Sequence, residues 1–260
     1  MIPSFAEYLQ ARLAQDSSFR QAVPAAATAF QAALQNGYLL GETLTTHRDA
    51  SGHSHVSLAP FHLIFLRQMC ASFEALSVGQ AFQAWVSIRP GIESVLIMGK
   101  WVADPKNADI WENRVADPRA YLDCYQGKNL GNGALPRGND IQTALKGIND
   151  NFLHPNPYYY FRHLHMDDRD DGNVELRLDF FDHSDDVWLG FLGILHLVVV
   201  CQDSVSRMFT ELFVDRPSLD VGVSDLESKA RDWVRSLRAK GRFYDRTLTD
   251  LGLWPRVVAP

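Results

Sequence analysis

The apolar positions of this chain recur at three- and four-residue intervals over most of its length, a period that lays them along one face of a helix. In PSFAEYLQARLAQD, Phe5, Tyr8, Leu9 and Leu13 form one such stripe. The Ala-rich PAAATAFQAALQNG that follows is expected to be a second helix, stopped by Gly37. THRDASGHSHVS, residues 46–57, is polar and aperiodic and reads as a surface loop. Periodicity returns from about Pro60 to Val102, where Pro90 predicts a kink or break near Ile88, because proline donates no N–H and its ring crowds the preceding turn. DPKNADIWENRVADPRAYLDCYQG predicts a further helix or a broken pair closed by Gly127, and LGNGALPRGN predicts a loop. Helix resumes at about Asp140 and stops before His154-Pro155.

The period then changes. YYYFRHLH and NVELRLDF are rich in aromatic and branched residues, and Val174, Leu176, Leu178 and Phe180 alternate with Glu175, Arg177 and Asp179. With the turn-rich MDDRDDG between them, they predict a β-hairpin inserted at about 158–181. An apolar helix of about 186–213 follows, then SDLESKARDWVRSLRAKG, where Ser224 and Glu227 make a capping box and Leu226, Ala230, Trp233, Val234 and Leu237 the buried stripe before Gly241. No internal repeat or linker divides the chain. The expected fold is therefore mainly α: one domain over residues 1–260, a multi-helix bundle with a small inserted β-hairpin.

Composition narrows the function classes. A hydrophobic share of 46% fits a globular core, and 31 acidic against 25 basic residues give a formal charge of −6, with no global attraction for nucleic acid, which is the less favoured partner. Cys70, Cys124 and Cys201 are far apart, without zinc-knuckle or disulfide spacing, and the N-terminus shows helical period rather than a basic leader before an apolar run. A cytoplasmic setting is expected. VWLGFLGILHLVVVC, residues 187–201, falls short of the roughly 20 residues a spanning helix needs, so a buried helix is expected, in the monomer core or across a homodimer interface.

Candidate chemistry gathers in one neighbourhood. Arg89 and Glu93 lie four residues apart in an otherwise apolar region, so they must be paired or wet: a structural ion pair or the lining of a polar pocket. His154 stands at a helix end, as a terminator whose imidazolium suits the macrodipole or as a general acid or base. His163 and His165 would share one strand face as weak metal candidates, but spacing identifies no third ligand. His47, His53 and His55 sit in the polar loop, and Arg231, Arg235 and Arg238 form a basic stripe suited to solvent, phosphate or an acidic partner. P-loop, dinucleotide, zinc-protease and nucleophile-elbow motifs are absent from the sequence, and no cofactor is expected.

RPGIESVLIMGKWVADP with the later NDNFLHP resembles an uncharacterised bacterial helical family in which an Arg-Pro-x-x-Glu helix precedes a helix ending in His-Pro. More distantly, it is similar to the HEPN-like bundles of defence systems and toxins. The resemblance spans about residues 60–155 and implies that Arg89, Glu93 and His154 meet inside the bundle. HEPN ribonucleases use Arg, four to six intervening residues, then His; here that spacing falls at Arg48 with His53 or His55, and at Arg177 with His183, while Asn149 and Asn151 precede His154. The expectation is an interaction or regulatory module for an unknown protein or small-molecule ligand, linked to bacterial defence or stress. The alternative is a hydrolase or ribonuclease using Arg89, Glu93 and His154.

Overall fold

A computed structural model describes residues 5–22, 24–131, 135–153, 164–168, 174–178, 181 and 184–213. These residues are mainly helical. The α-helices are α1 (Phe5–Ala22), α2 (Pro24–Thr46), α3 (Ala59–Ser77), α4 (Ala81–Ala103), α5 (Lys106–Glu112), α6 (Pro118–Tyr125), α7 (Gly138–Ile148) and α8 (Ser184–Leu212). A π-helical turn, Asn149–Leu153, continues α7.

The long apolar stretch from residue 60 breaks at Gly79, whereas α4 runs uninterrupted through Pro90. Two local bonds explain the choice. Gln80 N–H donates to the Ala75 carbonyl at 2.9 Å and Gly79 N–H to that of Leu76 at 3.0 Å, with Gly79 at φ +72°, the left-handed conformation that closes a helix. Pro90 lies on the exposed side of α4, and packing on either side holds the helix together. The resulting α3–α4 hairpin is the most extensive helix pairing in the described structure. It is tight because Gly91 faces α3: a Cβ there would lie 3.3 Å from the Phe65 Cα.

Gly37 does not stop α2, which continues to Thr46. It is a packing position, since a Cβ would collide with Leu66 on α3 and approach Gln202 on α8. The Gly37 carbonyl accepts a bond from His62 Nε2 at 2.7 Å. The stripe on α1 is not a sealed seam either: Leu9 and Leu13 are 41% and 71% exposed. Tyr8 does pack, with its ring stacked on Phe181 and its hydroxyl accepting from Gln80 Nε2 at 3.1 Å.

The core lies where α8 packs against α2, α3, α4 and α7. Ile194, Leu195, Val198 and Cys201 have no exposed surface. By length and composition, Val56–Ser77 and Gly190–Leu212 could each cross a membrane, but the second is 83% buried inside the protein against 44% for the first. The apolar 187–201 segment thus belongs to the intramolecular core.

Leu164–Asp168 (β1) and Val174–Leu178 (β2) pair antiparallel, with Met166 opposite Leu176. The connection 169–173, the flanks 154–163 and the C-terminal helix expected after Ser224 lie outside the described residues.

Candidate functional site

On α4, Arg89 and Glu93 are four residues apart on the side turned from α3. The Arg89 guanidinium is shared: Nη2 pairs with Glu93 Oε1 at 2.8 Å, and Nε donates to Asn149 Oδ1 at 2.7 Å. Asn149 is delivered by the π-helical turn after α7, a widened turn of the kind that recurs at functional sites. The side chains of Arg89 and Glu93 keep 31% and 29% of their surface, so the pair is neither sealed nor free. Burial raises the Glu93 carboxyl above the ordinary range, and Arg89 opposes this only in part.

These three residues line one part of an open cleft of about 1080 Å³ walled by α4, α6 and α7. The wall formed by α7 and the turn that continues it is a polar stripe of Asn139, Gln142, Thr143, Lys146 and Asn149 at three- and four-residue spacing, roughly 15 Å long at the helical rise. Opposite it stand Tyr121 and Tyr125 of α6, stacked with centroids 5.4 Å apart, and Gly127. Gln142 Nε2 reaches across to the Gly127 carbonyl at 2.6 Å. The Lys146 ammonium, the Asn139 carboxamide and the Tyr121 hydroxyl have no hydrogen-bond partner among the described residues. Chemically, the cleft offers a shared guanidinium, a second cation, one carboxyl with a raised pKa and several unused donors. That set suits polar ligands bearing acceptor groups.

The structure brings Arg89 and Glu93 together, while His154 and His163 lie outside the described residues. His165 is placed in β1, opposite Arg177 in the register. Among the described residues, no group of three or more His, Cys, Asp or Glu side chains could hold a metal ion. In the polar loop, Asp49 instead organises a turn, accepting from Ser51 N–H at 2.9 Å, His53 N–H at 2.8 Å and His55 Nε2 at 3.1 Å. The His53 N–H bond, seconded by His55, holds the Asp49 carboxyl down at about 2.

Sequence reasoning missed Asn149, Lys146 and the two tyrosines as cleft residues. The spacing of Asn139, Gln142, Thr143 and Lys146 could have revealed a polar face on α7. Nothing local shows that this face meets α4, 60 residues away at the Arg89–Asn149 bond.

Fold and cleft together define a mainly helical protein with a polar, partly aromatic groove between three helices. No family model, curated protein or solved structure matches the chain.

Proposed function

We propose that the chain is a helical interaction or regulatory module that receives a polar small molecule, or a polar segment of a partner protein, in the cleft between α4, α6 and α7. One observation carries this reading: Arg89 is split between Glu93 and Asn149 while part-exposed on the wall of a 1080 Å³ opening. A purely structural ion pair gains from being either sealed with full hydrogen bonding or left loose at the surface. Arg89 is instead held from two sides beside unused donors, the preorganisation that recognition requires. The reading carries a cytoplasmic setting, supported by three unpaired cysteines, and a defence or stress role, supported by the resemblance of the α4 and His-Pro segments. It keeps 158–181 as a hairpin insertion, supported by the antiparallel register of β1 and β2.

A second reading, a hydrolase or ribonuclease, is favoured by Glu93, whose raised pKa suits a proton donor or acceptor. Arg89 would stabilise charge and His154 would supply the second acid–base group.

The test is a binding screen with inorganic phosphate, carboxylic acids, nucleoside monophosphates, simple sugars and a short RNA, followed by amide chemical-shift mapping. The expected result is a hit whose shifts gather on residues 121–127 and 139–149 and whose binding is lost in Arg89→Ala. Hits mapping elsewhere, unaffected by Arg89→Ala, overturn the module reading. Turnover of any hit, cut by roughly 10² or more in Glu93→Gln or His154→Asn, selects the enzyme reading.

A further inference from the structure

Where α4, α5 and α6 meet lies a second group of polar side chains, which shares Tyr125 with the cleft. Lys100, on the last turns of α4, is only 8% exposed. Among the described residues its ammonium has no carboxylate partner; it points to Cys124 Sγ at 3.9 Å and lies 5.8 Å from the centre of the Tyr125 ring. A buried cation without a counter-ion is costly and needs compensation from its surroundings. Tyr125 cannot supply an anion: it accepts from Trp101 Nε1 at 3.0 Å, donates to the Asn107 carbonyl at 2.5 Å, and burial pushes it up to about 12. Cys124 is the remaining acidic group, and its Sγ–H donates to Asn107 Oδ1 at 3.2 Å. The Asn107 amide is held in turn by its Nδ2–H bond to the Lys100 carbonyl at 2.9 Å.

The other two thiols sit in opposite surroundings. Cys201 is buried, which drives its thiol up to about 12. Cys70 is half-buried like Cys124, yet burial and the Glu74 carboxylate both push its thiol up. Only Cys124 combines partial exposure with a directed cation, the setting in which cysteines react.

We propose that Cys124 is a modification site for peroxide-class oxidants, with Lys100 stabilising the negative charge that develops during attack. Cys124 Sγ forms a bond to one peroxide oxygen, the O–O bond breaks, and the other oxygen leaves as water with the thiol proton. Sulfur loses the two electrons that the peroxide gains, and the product is a sulfenic acid. The two existing partners suit that product: Asn107 Oδ1 accepts its O–H and the Lys100 ammonium donates to its oxygen. Cys124 shares α6 with Tyr121 and Tyr125, so its oxidation acts on the helix that walls the cleft.

The experiment exposes the full chain to hydrogen peroxide with dimedone and follows each cysteine peptide by mass spectrometry. Cys124 is expected to be labelled first, about tenfold or more ahead of Cys70 and Cys201, with Lys100→Met slowing it by a similar factor and Lys100→Arg retaining most of the rate. Thermal melts establish that each variant is folded; should Lys100→Met not fold, the ranking of the three thiols and the Lys100→Arg rate decide. Equal or faster labelling of Cys70, or an unchanged Cys124 rate in folded Lys100→Met, overturns the proposal and leaves Lys100 as a packing partner of the Tyr125 ring.

Discussion

On one side of α4, Ile88, Ile92 and Val95 have no exposed surface, and Gly91 lets α3 approach. On the other side, Arg89 and Glu93 keep about three-tenths of theirs and open on the cleft. The two sides share one helix and one four-residue spacing, yet the first is a close-packed seam and the second a wet, charged wall. Position on the helix decides a residue's fate here more than its neighbours in sequence do: Arg89 sits between buried Ile88 and exposed Pro90. The lesson extends to polar groups inside the seam. Asn36 and Gln202 are sealed and joined by a 3.0 Å bond from Asn36 Nδ2 to Gln202 Oε1, with Gln202 Nε2 donating to the Ala33 carbonyl at 2.7 Å. The sealed donors of these two side chains are bonded within the protein, whereas the cleft wall keeps donors unused.

The contrast can be broken from either side. The largest effect is expected from Ile92→Ala, which leaves a cavity in the sealed seam and should lower stability by about 2–5 kcal/mol in urea unfolding. Gly91→Val should cost about 1–3 kcal/mol by the same measurement, because the added atoms press on the α3 backbone at Phe65.

Acid gives a milder, separable test on the core side. Burial, with Arg137 nearby, depresses His196 from 6.5 to about 4, so between those values the unfolded chain binds a proton that the folded chain refuses. Stability from this group is therefore complete above about pH 6.5 and declines as pH falls toward about 4. His62, lowered by burial although the Gly37 carbonyl opposes it, acts in the same direction. Denaturation midpoints should fall across that window, and less steeply in His196→Gln. Asp49, depressed to about 2, loses its contribution only below its ordinary 3.8, so the two losses are separable. The smallest change is expected on the wet side, where Arg89→Met should shift stability by no more than about 1 kcal/mol, as for part-exposed ion pairs.

Much of the helical order was legible because burial on one face imposes a period that the sequence must carry. The break at Gly79 and the continuity of α2 through Gly37 were not. They depend on different properties of the glycine: a left-handed backbone at Gly79, close approach of a neighbouring helix at Gly37. The break that Pro90 allowed does not occur, since the packing of α4 outweighs one missing helix bond. Of the site, the pairing of Arg89 with Glu93 was readable as an i, i+4 relation on a helix. Asn149 and the tyrosines were not, because their place depends on how α6 and α7 return to α4.

The central claim is that Arg89 serves recognition rather than stability, and a double-mutant cycle of Arg89→Met and Glu93→Gln tests it most directly. The cycle is read twice, once in unfolding free energy and once in affinity for the strongest hit of the ligand screen. The account expects a stability coupling below about 1 kcal/mol and a loss of affinity of about tenfold or more in Arg89→Met, equivalent to about 1.4 kcal/mol. A stability coupling of several kcal/mol with unchanged affinity would make the pair a structural tie and contradict the account.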